Sequence, residues 1–273
     1  MSVTETQMNA INPGLNGLDL ETISNQTMAE VRAHPGEARP RILLAQLSMV
    51  SGQWQRALAQ LQAAAQLDAA NIPMAQAYRE AIRCEISREQ VFAGQTSASF
   101  VGEPEPWCGE LAKAMTLRAE GQDKAADRLQ MQALEQAEAV PFLVDDQPVT
   151  WLADADSRLG CICEVFLNGS YFWLPMQHIQ SLKVDQPNDL RDLVWIPARL
   201  TLTNGGQHPV FLPSRYPNSY QRDEQQLALS KLTVWEQLSD QAWAGFGQRM
   251  WASDVGDHPL LDTRSIHRAD SYS

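Results

Sequence analysis

No stretch of this chain stays apolar for the roughly 20 residues that a membrane-spanning helix needs. The longest run, Ile42 to Val50, is interrupted by Gln46 and Ser48. Met1 to Asn16 is polar and lacks a basic start followed by an apolar stretch, so no secretory signal is visible and a cytoplasmic location is expected. No run of Lys or Arg forms a stripe able to neutralise phosphates. The net charge of −12 comes from both halves, with 11 basic against 18 acidic residues in 1–145 and 10 against 15 in 146–273. Nucleic acid and membrane are therefore excluded as expected partners. An acidic surface suits a basic protein segment, although solubility alone explains the same charge.

Signatures of catalysis and metal binding are scarce as well. The four cysteines offer no CxxC pair: Cys84 and Cys108 are isolated, and Cys161 and Cys163 are separated by one residue. The five histidines, His34, His178, His208, His258 and His267, are scattered without metal-ligand spacing. Gly-x-Ser-x-Gly is absent, and Gly245-Phe246-Gly247 is too short to cradle a phosphate and lacks a following Lys-Ser/Thr. No catalytic residue, cofactor or metal is expected.

What the chain does contain is a recurrence. Gly17, Gly52 and Gly121 are each followed five residues later by Thr22, Ala57 and Ala126, and twelve residues later by Ala29, Ala64 and Ala133. The offsets are 35 residues and then 69, close to two further periods, although a middle copy near residue 86 lacks its glycine. A period near 34 residues is that of stacked helix pairs. Leu43, Leu44, Leu47 and Val50 sit at helical spacing before Gly52. Trp54, Ala57, Leu58, Leu61, Ala64 and Ala65 then share one face of a second helix. Leu111, Ala114, Met115 and Leu117 before Gly121, and Ala125, Ala126, Leu129 and Ala133 after it, repeat the arrangement. This pattern resembles the tetratricopeptide repeat, which implies a surface that holds another protein segment.

Near residue 141 the chain changes character. Ala-rich helical text stops at Pro141, and six of the eight Trp residues lie from Trp151 onward. Cys161–Leu167 and Tyr171–Leu174 flank Asn168-Gly169, a hairpin signal of the type with positive φ at both turn positions. Leu193–Thr203 and Gln207–Leu212 flank Asn204-Gly205-Gly206, read as a second hairpin of the same type. Ile179–Val184 alternates as a strand, Phe246–Ala252 and Leu260–Ile266 are expected closing strands, and 224–238 is ambiguous between helix and strand. The expected fold is α+β: a flexible N-terminus over 1–16, tetratricopeptide-like helical repeats over 17–140, and a mostly antiparallel β domain over 141–273, built as a curled sheet or small barrel. At 273 residues the chain has room for two cores of ordinary size.

Polar clusters in the second part are the candidates for chemistry. Asp154 and Asp156 open like a calcium loop, but Arg158 then takes a ligand position and Gly160 is displaced. With Glu164, the same carboxylates define an alternative, a metal-dependent hydrolase; the plainer reading is that they cap a turn and pair with Arg158. Asp189-Leu190-Arg191-Asp192-Leu193-Val194-Trp195, Ser214-Arg215-Tyr216-Pro217 and Gly245-Phe246-Gly247-Gln248-Arg249 are the other clusters.

These segments also carry a family likeness. Gly52-Gln53-Trp54-Gln55-Arg56-Ala57 with Leu61, Gly102-Glu103-Pro104, and Ala153-Asp154-Ala155-Asp156-Ser157-Arg158-Leu159-Gly160 resemble the ImpE family, also called TagJ. The likeness continues through Asn168-Gly169, Tyr171, Trp173, Pro175, Asp189 to Trp195, Arg215-Tyr216 and Gly247-Gln248-Arg249, covering about residues 17 to 268. The chain departs at Cys161, where the family tends to have Pro, and in its extension before Gly17. The resemblance implies a non-enzymatic adaptor of bacterial type VI secretion. Such an adaptor binds the small subunit of the contractile sheath, through that subunit's N-terminal region, and is linked to the ring ATPase ClpV. A purely structural scaffold bridging ClpV and the sheath is a further alternative. Trp151, Asp154, Asp156, Arg158, Arg191, Asp192, Trp195, Arg215, Tyr216, Gln248 and Arg249 are the expected protein-binding residues, and each serves equally well as a core or ion-pair residue. An amphipathic helix in a groove is the natural mode for the helical part, with strand addition to the β part as the alternative.

Overall fold

A computed structural model describes residues 19–269; the expected flexible N-terminus and Gly17 lie outside the described residues. Among the described residues six α-helices come first: α1 Leu20–Ala33, α2 Ala38–Val50, α3 Trp54–Leu67, α4 Ile72–Phe92, α5 Pro106–Ala119 and α6 Asp123–Gln136. Local chemistry sets their ends. Asp19 caps α1 by accepting from the Thr22 backbone N–H at 2.7 Å, and Pro106 opens α5 where no helical donor is needed. The stripe Trp54, Ala57, Leu61 and Ala64 is buried, as its spacing requires.

The recurrence is real in geometry. At the end of α2, Gly52 N–H donates to Met49 O and Gln53 N–H to Ser48 O; at the end of α5, Gly121 donates to Arg118 O and Gln122 to Leu117 O. Both glycines are left-handed, at φ 67° and 75°, and both turn the chain into an antiparallel partner helix. The middle copy differs. Residue 86 lies inside the 21-residue α4, which runs straight through the position where a turn would fall. It stops instead at Gly94-Gln95, where the same pair of hydrogen bonds recurs, to Val91 O and Gln90 O.

Beyond α6 the chain is β structure. An eight-stranded antiparallel sheet has the order β2-β1-β13-β6-β7-β8-β4-β5, formed by β1 Phe142–Val144, β2 Gln147–Val149, β4 Ile162–Leu167, β5 Ser170–Pro175, β6 Ile179–Val184, β7 Trp195–Leu202, β8 Gln207–Pro213 and β13 Ser265–Arg268. Its two edges, β2 and β5, do not meet, so the small-barrel alternative is corrected to an open sheet. A three-stranded sheet joins β3 Leu152–Asp154, β11 Met250–Ser253 and β12 Gly256–Pro259, while β9 Thr233–Gln237 and β10 Trp243–Gly247 form a separate hairpin. All six residues of β4 are buried, as expected for a strand covered on both faces.

Several strand expectations need adjustment. Asn168 and Gly169 are both at positive φ, 50° and 73°, as the first hairpin signal requires. The second hairpin is of another type: Gly205 N–H donates to Leu202 O, and Gly205 alone of the three loop residues has positive φ, the pattern of a type I turn closed by a bulge. The single strand expected over Phe246–Ala252 is broken, because Gly247 sits at φ 93° against the Leu232 carbonyl. The last strand starts at Ser265, five residues after its expected start, since Leu260 to Asp262 form a turn. Residues 224–238 contain both elements: a one-turn helix, α7 Gln225–Ala228, and then β9.

One hydrophobic cluster runs from Ile23 to Ile266, taking in helices and sheet alike. At its centre Trp54 packs on Trp195 of β7 at 5.8 Å and edge-on to Tyr220 at 5.5 Å. The tryptophan that best marks the repeat is thus spent on docking the helices to the sheet. Tyr220 also presses on Gly52, where an added Cβ would come within 2.2 Å of the ring; beside Gly121 there is open space. Gly121→Ala should therefore cost about 1 kcal/mol from backbone strain alone, and Gly52→Ala about 3 kcal/mol because overpacking adds to it. Urea unfolding of the two variants checks this, and equal losses would contradict the packing of Tyr220.

Candidate functional site

Helix α4 crosses the sheet with two charged residues on its buried face. Glu85 and Arg88 stand among Ala81, Ile82, Cys84 and Val91, and Arg88 is fully buried. Its guanidinium forks onto Glu164 of β4, Nε to Oε1 at 2.8 Å and Nη2 to Oε2 at 2.9 Å. The remaining nitrogen, Nη1, donates to Glu85 at 3.0 Å. Glu85 in turn accepts from the Trp195 indole at 2.7 Å. Glu164 also accepts from the Tyr171 hydroxyl, which itself accepts from Trp173 Nε1. From the opposite side Arg249 donates to Glu164 and reaches toward Asp154, with Nη1 at 3.3 Å from Oδ2. Asp154 accepts from Tyr216 at 3.0 Å and from the Asp156 backbone at 2.8 Å. Asp156 is gripped by Arg158 and accepts from the Gly245 backbone at 3.0 Å.

Nearby, Arg215 donates to the carbonyls of Met49 and Val50 at 3.0 and 2.7 Å and also to Ala228, so a side chain from the β part closes the C-terminus of α2. Burial pushes its guanidinium down to about 10, which leaves it charged at neutral pH. Arg191 pairs with Asp189 and lies over the Tyr78 ring at 4.5 Å. Asp192 accepts from the backbones of Asn188 and Asp189, and Gln248 bridges Ser230 O and the Leu261 N–H.

Ten of the eleven residues expected to bind a partner are thus engaged inside the molecule: Asp154, Asp156, Arg158, Arg191, Asp192, Trp195, Arg215, Tyr216, Gln248 and Arg249. Only Trp151 is exposed. Most polar groups of the ten are satisfied within the fold, with Asp154 Oδ2 and Arg249 Nε and Nη1 buried without a hydrogen bond, and the ten brace α2, α4 and the sheets against one another. The carboxylates of the hydrolase alternative are likewise taken: Glu164 by Arg88 and Arg249, Asp154 by Arg249, Asp156 by Arg158. Among the described residues no group of three or more His, Cys, Asp or Glu is placed to hold a metal ion. Glu85 and Arg88 had no place among the expected residues. Their signal was two charges three residues apart on an otherwise apolar helix face.

The open surface lies elsewhere, along the flank of α4 that borders the sheet. A groove of about 470 Å³ is lined by Ala77 and Ala81 of α4 and by Phe166, Pro197, Pro209 and Phe211 of the sheet, with Glu80, Asp185 and Arg199 among its polar residues. Cys84 and Gly169 connect it to a more polar hollow of about 420 Å³ bounded by Ser87, Gln90, Thr96 and Ser97. Together they follow the helix–sheet seam.

A family model described as ImpE protein matches residues 146–267. The chain is 44% identical over 237 residues to the type VI secretion system accessory component TagJ of Pseudomonas aeruginosa, covering 87% of this chain and 83% of that protein. Its fold matches the crystal structure of protein VPA1032 from Vibrio parahaemolyticus with a TM-score of 0.85, at 23% identity over 98% of both chains.

Two outcomes follow from the buried charges. Arg88→Ala leaves the buried Glu85 without its cation and Glu164 with Arg249 alone, and should cost about 3–5 kcal/mol. Arg222→Ala, which breaks the exposed pair with Glu236, should cost less than about 1 kcal/mol. Urea unfolding followed by tryptophan fluorescence separates the two. The second outcome concerns Asp154, which burial raises from 3.8 to about 6, outweighing the pull of Arg249, with Asp156 adding to the rise. Because the folded form holds this proton more tightly than the unfolded chain, its contribution is fully present below 3.8 and is lost as pH rises to about 6. Asp154→Asn removes that titration, so its destabilisation relative to the parent should be larger at pH 4.5 than at pH 7.5 when unfolding is measured at both.

Proposed function

Since the chain belongs to the ImpE family, we propose that it is a non-enzymatic accessory protein of bacterial type VI secretion, acting in the cytoplasm as an adaptor. It binds the small subunit of the contractile sheath through that subunit's N-terminal region and links it to the ClpV ATPase. The observation that carries this reading is the 44% identity to an accessory component of that system across 87% of the chain. No helix among the described residues is long and apolar enough to cross a membrane, which is compatible with the proposed location.

The groove along α4 is the surface we assign to the sheath segment. It is apolar where Ala77, Ala81, Phe166 and Phe211 face it, and the small alanines leave room for an incoming amphipathic helix. The repeat face at Trp54 and the end of α2 are already filled by the β part, so they offer no such room. We assign holding to the helical part, 17–140, together with the strands that complete the groove. The part 141–273 is the frame that fixes α4 in place. The buried clusters are that frame's fastenings, which favours an adaptor over the hydrolase alternative.

Titration calorimetry with the purified small sheath subunit tests this. The intact protein should bind the full subunit and not a subunit lacking its N-terminal region. Ala77→Trp, which fills the groove, should weaken binding at least tenfold while circular dichroism is unchanged. No binding to the intact subunit would overturn the assignment, and full binding by Ala77→Trp would move the site away from the groove.

A further inference from the structure

The hairpin of β9 and β10 leaves one edge of backbone unpaired. Leu238 N–H donates to Ala242 O and Gln248 N–H to Leu232 O. In the register Glu236↔Ala244 and Val234↔Phe246, the backbones of Val234 and Glu236 therefore face β10, and those of Thr233, Trp235 and Gln237 face outward. Among the described residues these three outward N–H and C=O groups have no hydrogen-bond partner. The outer side of β10 is occupied by contrast: Trp243 and Ser157 exchange hydrogen bonds, Gly245 N–H is held by Asp156, and Gly247 N–H by Ser219.

The other edges are guarded. Trp173 of β5 exchanges backbone hydrogen bonds with Ser99 and Val101, which cover that edge. The three-residue β2 contains Pro148, β12 ends in Pro259, and Asp154 N–H of β3 is taken by Gly160 O. Natural sheets block their edges in these ways, with proline, shortness or covering loops. β9 has five residues, no proline, glycine or lysine, and it displays Val234 at 39% and Trp235 at 38% exposure beside Trp243 at 44%.

We propose that β9 is a docking edge for an extended, basic peptide segment of a partner protein, added as a third strand to the hairpin. Trp235 and Trp243 lie on one face of the hairpin, where Trp235 leans on Tyr216 at 5.6 Å, and they take apolar side chains at alternate positions of the incoming strand. On the other face stands Glu236. Asp223, Glu224, Glu236 and Asp240 outnumber Arg222 and Lys231 around the edge, and Arg222 is already committed to Glu236 and the Phe246 ring. That balance selects cationic residues between the apolar ones. It disfavours a second copy of this chain, since each copy carries −12. The edge is separate from the groove along α4, so it stands or falls independently of the sheath assignment.

The probe is a synthetic octapeptide alternating valine with lysine, titrated into the full chain. Saturable binding is expected, with slowed amide exchange at Thr233, Trp235 and Gln237. Gln237→Pro deletes one outward N–H and leaves the β9–β10 ladder intact, and Trp235→Ser deletes the aromatic platform; each should weaken binding at least tenfold. N-methylation of the peptide on one alternating set of residues should abolish binding, while methylation of the other set leaves it. Absence of saturable binding would overturn the proposal, as would binding indifferent to Gln237→Pro and to both methylations, which is adsorption by charge. A dimer in sedimentation that Gln237→Pro dissolves would also overturn it, in favour of self-pairing. Ala77→Trp should leave peptide binding unchanged.

Discussion

The bidentate pair between Arg88 and Glu164 is the constraint from which the rest of this structure hangs. It joins α4 to β4, the strand next to one edge of the large sheet, with both side chains at 0% exposure. Two ions placed in such an interior lose several kcal/mol of hydration each, and their attraction repays this only when every remaining hydrogen-bonding position is filled. That requirement accounts for the neighbours. Glu85 and the Arg215 carbonyl complete Arg88, Tyr171 and Arg249 complete Glu164, and Asp154 answers Arg249. Arg88, Arg158, Arg215 and Arg249 are balanced in number by Glu85, Glu164, Asp154 and Asp156. The network contributes direction more than net stability: a helix slid one turn along the sheet would part Arg88 from Glu164 and Glu85 from Trp195.

With α4 so fixed, the flank of the same helix that borders the sheet becomes a rigid wall. The groove beside Ala77 and Ala81 has its shape because Glu85 and Arg88, on the adjoining buried stripe of α4, hold the helix in register with β4 and β7. Segments that carry the family likeness, Asp154 to Arg158 and Gly247 to Arg249, thus help to position a groove that they do not line. The β9 edge is built differently. It belongs to a two-stranded element tied down on one side only, through Ser157, Asp156 and Ser219, and its other side is backbone with nothing attached.

Local features of the chain were readable, and distant pairings were not. Asn168-Gly169 specifies its turn because both residues must take positive φ, and Gly52 and Gly121 specify theirs by the same rule. The apolar stripe of α3 follows from its 3.6-residue period. The Asp154–Arg158 segment stood out as charge, and its internal pairing of Asp156 with Arg158 was foreseeable from adjacency. Nothing local, however, tells Asp154 that its cation is Arg249, or Glu164 that its cation is Arg88, 76 residues earlier. Long-range pairing also decides that β13 lies between β1 and β6, and that the sheet stays open. In sequence, Trp195 and Arg215 suit a binding anchor and an interior brace alike, because aromatic and arginine side chains serve both purposes. Only their burial distinguishes the two.

The closure of α2 by Arg215 has a temporal side. The carbonyls of Met49 and Val50 leave the ribosome long before the side chain that satisfies them, which lies 165 residues further along. At ordinary synthesis rates that interval is roughly 10–30 s, far longer than the microsecond in which a helix forms. During it the helical half exists with Arg88 and Glu85 facing a sheet not yet made, and with Trp54 uncovered. In that interval the nascent helical half displays apolar surface of the kind that is prone to aggregate. Truncation before Glu164 would leave Arg88, Trp54 and the end of α2 without their partners from the β part.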